Sequence, residues 1–184
     1  VIAETRIEEL NLTEWRLANG VRVLLKPTDF KDDEILIQAY SPGGTSLVDD
    51  SDHTSASFAS GVVARGGLAS FSMVDLQKRL AGTAVSVRPS ISGLYEGIRA
   101  SASPEDVETL YQLIYLTFTE PRRDDDAFTS LKTRYKSLLA NRDADPSQAF
   151  SDTLNVLLTQ GHYRTRPLTP ERLDELDLDT IMAF

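Results

Sequence analysis

Three times in the second half of this 184-residue chain a helix-capping side chain is followed at once by proline: Ser103-Pro104, Asp145-Pro146 and Thr169-Pro170. A cap oxygen accepts an N–H that the first helical turn leaves orphaned. Proline in the next position gives up only an N–H that the turn does not use. Each pair therefore marks where a helix begins. Behind the first, Val107, Leu110, Tyr111, Ile114 and Phe118 of "SPEDVETLYQLIYLTFTEP" recur at helical spacing. "DDDAFTSLKTRYKSLLANRD" sets Phe128, Leu131, Tyr135, Leu138 and Leu139 on one face. "DPSQAFSDTLNVLLTQG" and "TPERLDELDLDTIMAF" supply the remaining helical stretches.

The first half reads differently. In "TEWRLANGVRVLLKPTDF", Trp15 and Leu17 alternate before Asn19-Gly20, and Val21, Val23 and Leu25 alternate after it. That pattern predicts a hairpin closed by a two-residue turn, ended by Pro27, which cannot donate to a ladder. "EILIQAYSPGG" is apolar almost throughout and predicts a central strand broken at the glycines. "SMVDLQKRLAG" predicts a short helix capped by Ser72 and stopped near Gly82. Val85 and Val87, then Leu94, Ile98 and Ala100, return to period two across an "SG" turn. Strands first and helices afterwards predict an α+β fold: a mostly antiparallel sheet with helices packed on one face, in two layers.

Composition narrows the functions open to such a chain. A formal charge of −9 and a pI near 4.7 argue against a nucleic-acid surface, which needs clustered Lys and Arg. The basic pair in "PRRDDDAF" is neutralised by its own neighbours. No apolar run approaches the roughly 18 residues that cross a bilayer, so no membrane partner is expected. Without cysteine there is no disulfide and no thiolate zinc site. The chain opens "VIAETRIEEL", with neither Met nor a basic-then-apolar leader, and closes on the apolar "LDTIMAF". The expectation is one domain over 1–184, cut from a longer polypeptide.

Candidate site residues are few. His53, in "DDSDHTS", stands among acids but lacks the ligand ladder and sharp-turn glycine of a calcium loop. A solvated loop that caps the next helix through Asp52, Thr54 or Ser55 accounts for it. His162 has no second histidine at helical spacing to form a zinc pair. Beside it, Tyr163, Arg164 and Arg166 suit either contact with a substrate carboxylate or neighbouring domain, or an ion-paired loop. "YSPGG" and "ARGG" lack phosphate-cradling spacing and read as turns. The acids of "ERLDELDLD" are spaced as a solvated helix face.

The order "RLANGVRVLLKP", "ILIQAYSPGG", a short helix and "SFSMVDLQKRLAGTAVSV" resembles the insulinase/pitrilysin family of zinc metallopeptidases. The likeness continues through "SASPEDVETLYQLIYLTFTEP" and "LTPERLDELDLDTI", nearly the full length. In the family's active domains the helix after this glycine-ended strand carries H-x-x-E-H. Two histidines bind zinc, the Glu activates water, and a later Glu is the third ligand. The resemblance lays that motif on "TSASFASGVVARGG", with Ser57 and Gly61 at the histidines, Ser60 at the base and Leu138 at the third ligand. It therefore implies no catalytic residue and no cofactor in this chain, with zinc in the catalytic half of a parent protein. Further, it implies the third domain of a bacterial two-half member, exported to the periplasm. The implied partners are the catalytic N-terminal half, a following C-terminal domain and peptide substrate, with a homodimer open to the isolated domain. A structural or assembly subunit related to inactive family members is the alternative.

Overall fold

The Asn19-Gly20 hairpin forms, with one loop residue more than predicted. Strands β1 (Ala3–Ile7), β2 (Leu12–Arg16) and β3 (Arg22–Leu25) make an antiparallel sheet in the order β1-β2-β3. Leu17 N–H donates to Val21 O and Gly20 N–H donates to Leu17 O, so the loop is Ala18-Asn19-Gly20. Gly20 takes the left-handed angle, φ +86°, that closes a three-residue hairpin. On one face the Trp15 indole donates to Glu4 at 2.8 Å; elsewhere in the sheet Glu14 receives Arg16 and Arg22 at 3.2 and 3.0 Å.

The structure is a computed structural model describing residues 1–140, 142 and 145–184; it divides into compact units 1–34 and 35–184. Asn141 and Asp143, within the run read as the second long helix, lie outside the described residues, as does Ala144. The strands fall into two three-stranded antiparallel sheets instead of one. Pro27 and the charged "KDDE" stretch separate β3 from the next strand, because neither extends a ladder readily.

In the larger unit, β4 (Ile35–Pro42), β5 (Val85–Ile91) and β6 (Tyr95–Ala102) pair in the order β4-β6-β5. The strand predicted to be central is thus an edge. Its apolar run does not mean burial on both sides: Leu36 and Tyr40 are each 73% exposed, while Ile35 and Ile37 are half-buried. β6 holds the centre, paired with β4 on one side and β5 on the other. Ala100 and Ala102 let helix α3 (Val107–Thr119) lie close, with fully buried Leu110 packed on both and Ile37, Val85, Val87 and Ile114 around them. Burying a Leu side chain contributes about 1.5–3 kcal/mol.

The predicted Ser103 cap forms, and it opens a 3-10 turn, Pro104–Asp106, that leads into α3. Ser103 Oγ accepts the Asp106 N–H at 3.3 Å, and Asp106 Oδ2 accepts both the Ser103 hydroxyl and the Ala84 N–H at 2.8 Å. The cap therefore also fastens the helix to the start of β5. Its buried face is a correction: Leu110 and Leu113 go inward, whereas Tyr111 and Phe118 are 60% and 65% exposed. A helix apolar over most of its girth offers two overlapping stripes, and spacing alone does not choose between them.

The second core joins helices α1 (His53–Gly66), α4 (Asp125–Ala140) and α7 (Leu178–Ala183). Ala59 and Val62 meet Leu131, Leu178 and Ile181, with Phe58 and Tyr135 edge to face at 5.0 Å. Leu138, expected on the inward face of α4, is exposed. Helix α2 (Met73–Arg79) has the predicted Ser72 cap, and α5 (Pro146–Leu158) and α6 (Pro170–Asp174) start at their cap-proline pairs. None of the α5 residues is buried, and Phe150, Leu157 and Leu158 lie open to solvent. The glycine pairs, expected as turns, stand at helix ends: Gly43 and Gly44 open a 3-10 helix, Gly66 and Gly67 end α1, and a Cβ on Gly44, φ +62°, would sit 2.2 Å from Ser92 O.

Candidate functional site

Helix α1 is held by small side chains turned inward. Ala56, Ala59 and Val62 are buried, and Gly66 lets the Arg122 carbonyl approach to where a Cβ would be, 2.2 Å away. On this scaffold Ser57 is exposed, and its hydroxyl donates to the His53 carbonyl one turn back at 2.7 Å. Ser60 is half-buried. Gly61 O accepts from Arg65 Nη1 at 2.7 Å, and the space beside its Cα is open apart from that side chain. Leu138 lines a shallow groove with Tyr135, Leu139, Arg142, Gln148 and Leu168.

These four residues do not fit a zinc ion. Two hydroxyls, a glycine and an aliphatic chain supply neither imidazole nor carboxylate, the donors a catalytic zinc needs. Among the described residues, no group of three His, Asp or Glu side chains could hold a metal ion.

The N-terminus of α1 carries the densest polar network. Asp52 occupies the cap position but its side chain accepts no bond from the helix. Thr54 and Ser55, expected as possible caps, are buried inside the helix and serve the C-terminal segment. Thr54 Oγ1 accepts from Arg172 Nη2 at 3.0 Å and lies 3.4 Å from the Tyr163 hydroxyl; Ser55 Oγ accepts the Asp177 N–H at 3.1 Å. The Arg172 guanidinium stands 4.6 Å above the Tyr163 ring, and Tyr163 donates to Glu175 at 3.4 Å.

Arg164 is the clamp of this network. It donates to Asp50 Oδ1 at 2.6 Å, to Thr45 O at 2.8 Å and to Val48 O at 2.7 Å. The guanidinium holds Asp50 below the usual carboxylate range. Arg166 is exposed and donates from Nε to Gly161 O. His162 is exposed too, its Nδ1 accepting the Arg164 N–H at 3.3 Å. His53 is less solvated than its place in an acidic loop suggested: it opens α1, and its Nδ1 is buried with no partner among the described residues. Burial, followed by the nearby Arg164 and Arg172 charges, lowers its pKa from 6.5. Sequence reasoning missed the part played by Arg172, because its partners lie 118 residues away at Thr54 and on a loop that no local spacing reveals.

No family model matches the chain. Among curated proteins it is 28% identical over 171 residues to "Zinc protease PQQL-like" of Arabidopsis thaliana, covering 92% of this chain and 15% of that protein. It is 25% identical over 144 residues to "Probable zinc protease PqqL" of Escherichia coli K12, covering 78% of this chain and 16% of the relative. The chain thus spans about a sixth of the relatives' length. Of solved structures, the periplasmic protease PqqL of Escherichia coli superposes with a TM-score of 0.83 at 22% identity, over all of this chain and 20% of that one. A peptidase M16 inactive domain from Pseudomonas fluorescens gives 0.76 at 14% identity, over 95% of this chain and 42% of the other. With a sequence likeness along nine-tenths of the chain and a shared fold along all of it, the chain is similar to one domain of these zinc proteases, the match expected of a non-catalytic domain of the insulinase/pitrilysin kind.

Proposed function

We propose that the chain is a non-catalytic domain of a larger zinc metalloendopeptidase, in the place of the third domain, at the start of the C-terminal half. The observation that carries this reading is α1 itself. The helix has buried alanines and a buried valine, and on the alignment that the resemblance implies, Ser57, Ser60 and Gly61 take the positions of the imidazoles and the carboxylate. Such a domain walls a substrate chamber, packs against the catalytic half and the following C-terminal domain, and supports peptide binding. Zinc belongs to the catalytic half.

Two further features support a partnered domain. Phe150, Leu157 and Leu158 on α5 are 69–76% exposed, an apolar face of the kind that neighbours cover. In isolation the same face favours homodimers. Within the loop network, Tyr163 and Arg164 are taken up by internal bonds, and we assign contact with a neighbour to the exposed Arg166. By analogy with the periplasmic Escherichia coli protein, the setting proposed is the periplasm.

The test is metal analysis and peptide cleavage on the purified chain after equilibration with zinc. The expected result is zinc far below one per chain and no cleavage. One tightly held zinc per chain overturns the reading. The rest of the open reading frame should contain H-x-x-E-H; its absence there would point instead to an assembly subunit.

A further inference from the structure

The sheet face that carries no helices holds an arginine pair. The register aligns Gln38 of β4, Arg99 of β6 and Arg88 of β5 in one row across the strands. Residues directly opposite in antiparallel strands share a face, so the two guanidinium stems are immediate neighbours, and like charges in that position repel. Both are exposed, and among the described residues neither has an ion pair. In a chain of net charge −9 this is an uncommon place to leave two cations together.

The next row supplies a floor and a wall. Tyr40, Gly97 and Ser90 align there; Gly97 raises no side chain, and the Ala39 carbonyl of β4 comes to 2.2 Å from where its Cβ would be. Tyr40 and Tyr95 meet edge to face at 6.1 Å on its far side. Arginines, glycine floor and tyrosines line one groove of about 750 Å³. Glu96 lines it as well, but alternation turns its side chain to the opposite face, toward Gly43.

We infer that this groove binds an acidic peptide segment, whose side-chain carboxylates pair with Arg88 and Arg99 while its neighbouring residues lie over Gly97 against Tyr40 and Tyr95. Forked arginine donors match a carboxylate, and a carboxylate between them offsets the repulsion of the two guanidinium groups. The overall negative charge disfavours a polyanion such as nucleic acid, which would meet the rest of the surface. This inference rests on the reading of the chain as a peptidase domain for the choice of peptide as ligand, and it names the surface and the substrate class.

The experiment measures binding of the purified chain to fluorescein-labelled twelve-residue peptides of acidic, neutral and basic composition, each with free and amidated C-termini. The acidic peptide should bind at least about tenfold more tightly than the neutral one, with a preference that fades as salt is raised. Amidation should leave it unchanged. R88Q/R99Q should abolish the preference without lowering the melting temperature, and R88E/R99E should turn it toward the basic peptide. Equal binding of acidic and neutral peptides, loss of binding on amidation, or an acidic preference surviving in R88E/R99E overturns the inference. None of those results alters the zinc and cleavage outcomes, which test the domain assignment separately.

Discussion

Arg164 and Asp50, 114 residues apart in the chain, meet at 2.6 Å between Nε and Oδ1, and the same guanidinium closes on the carbonyls of Thr45 and Val48. The ion pair is the lesser part of this arrangement. Asp50 is exposed, and exposed pairs contribute little. The carbonyls belong to a turn in which Thr45 is buried, and without Arg164 they lose their donor. R164A should therefore lower stability by about 2–3 kcal/mol, and D50N by much less. Urea denaturation of both variants measures this; equal losses would mean that the ion pair governs.

His53 gives the clamp a pH dependence. Its pKa is lowered in the fold by burial and by Arg164 and Arg172, with Asp50 opposing and His162 adding to the effect. A lowered folded value means that the unfolded chain takes the proton first. The stability is whole above the ordinary value, about 6.5, and is lost as pH falls through the folded one. The Asp50 contribution has the other window, present above 3.8 and lost below its lowered value. Melting temperature should thus decline between pH 7 and 5 in the native chain, and less steeply in H53Q. Parallel curves would remove His53 from the account.

What was legible in the sequence was local. Ser103 and Asp106 stand where the cap rule puts them, because a cap needs only its own first turn. The failures are questions of which side. The apolar run of β4 reads as a strand buried on both faces, yet the helices cover only one, and Leu36 and Tyr40 face away from them. Ala100 and Ala102 on the central strand make room for Leu110 by being small, which a hydrophobicity pattern does not register. In the candidate site, the proposed motif positions on α1 came from resemblance, while the Arg164 and Arg172 network depends on contacts over more than a hundred residues.

The two stripes of α3 can be told apart by measurement. L110A removes a side chain that is 0% exposed and packed on Ala100 and Ala102, and should cost about 2–5 kcal/mol. Y111A, one position on, changes a ring that is 60% exposed and should shift stability by under about 1 kcal/mol. Comparable losses at the two positions in denaturant titrations would mean that the helix is turned about its axis from the orientation described.

The proposed alignment of H-x-x-E-H on α1 has a constructive test. Positions 57 and 61 are one turn apart on α1, the spacing that puts two side chains on the same face. Ser57 is exposed, and a Cβ at 61 would meet nothing nearer than Arg65 Nη1, 3.7 Å away. Leu138 is exposed on α4, so a carboxylate there stays solvated. The variant S57H/S60E/G61H/L138E should therefore fold, and replacing a mid-helix glycine adds no helical penalty. If the register is right, it gains one zinc per chain and its melting temperature rises with zinc concentration, since an ion bound only by the folded state stabilises that state. Omitting L138E should weaken zinc binding by removing one of three ligands. A folded quadruple variant that takes up no more zinc than the native chain would show that these positions do not correspond to the family's zinc site.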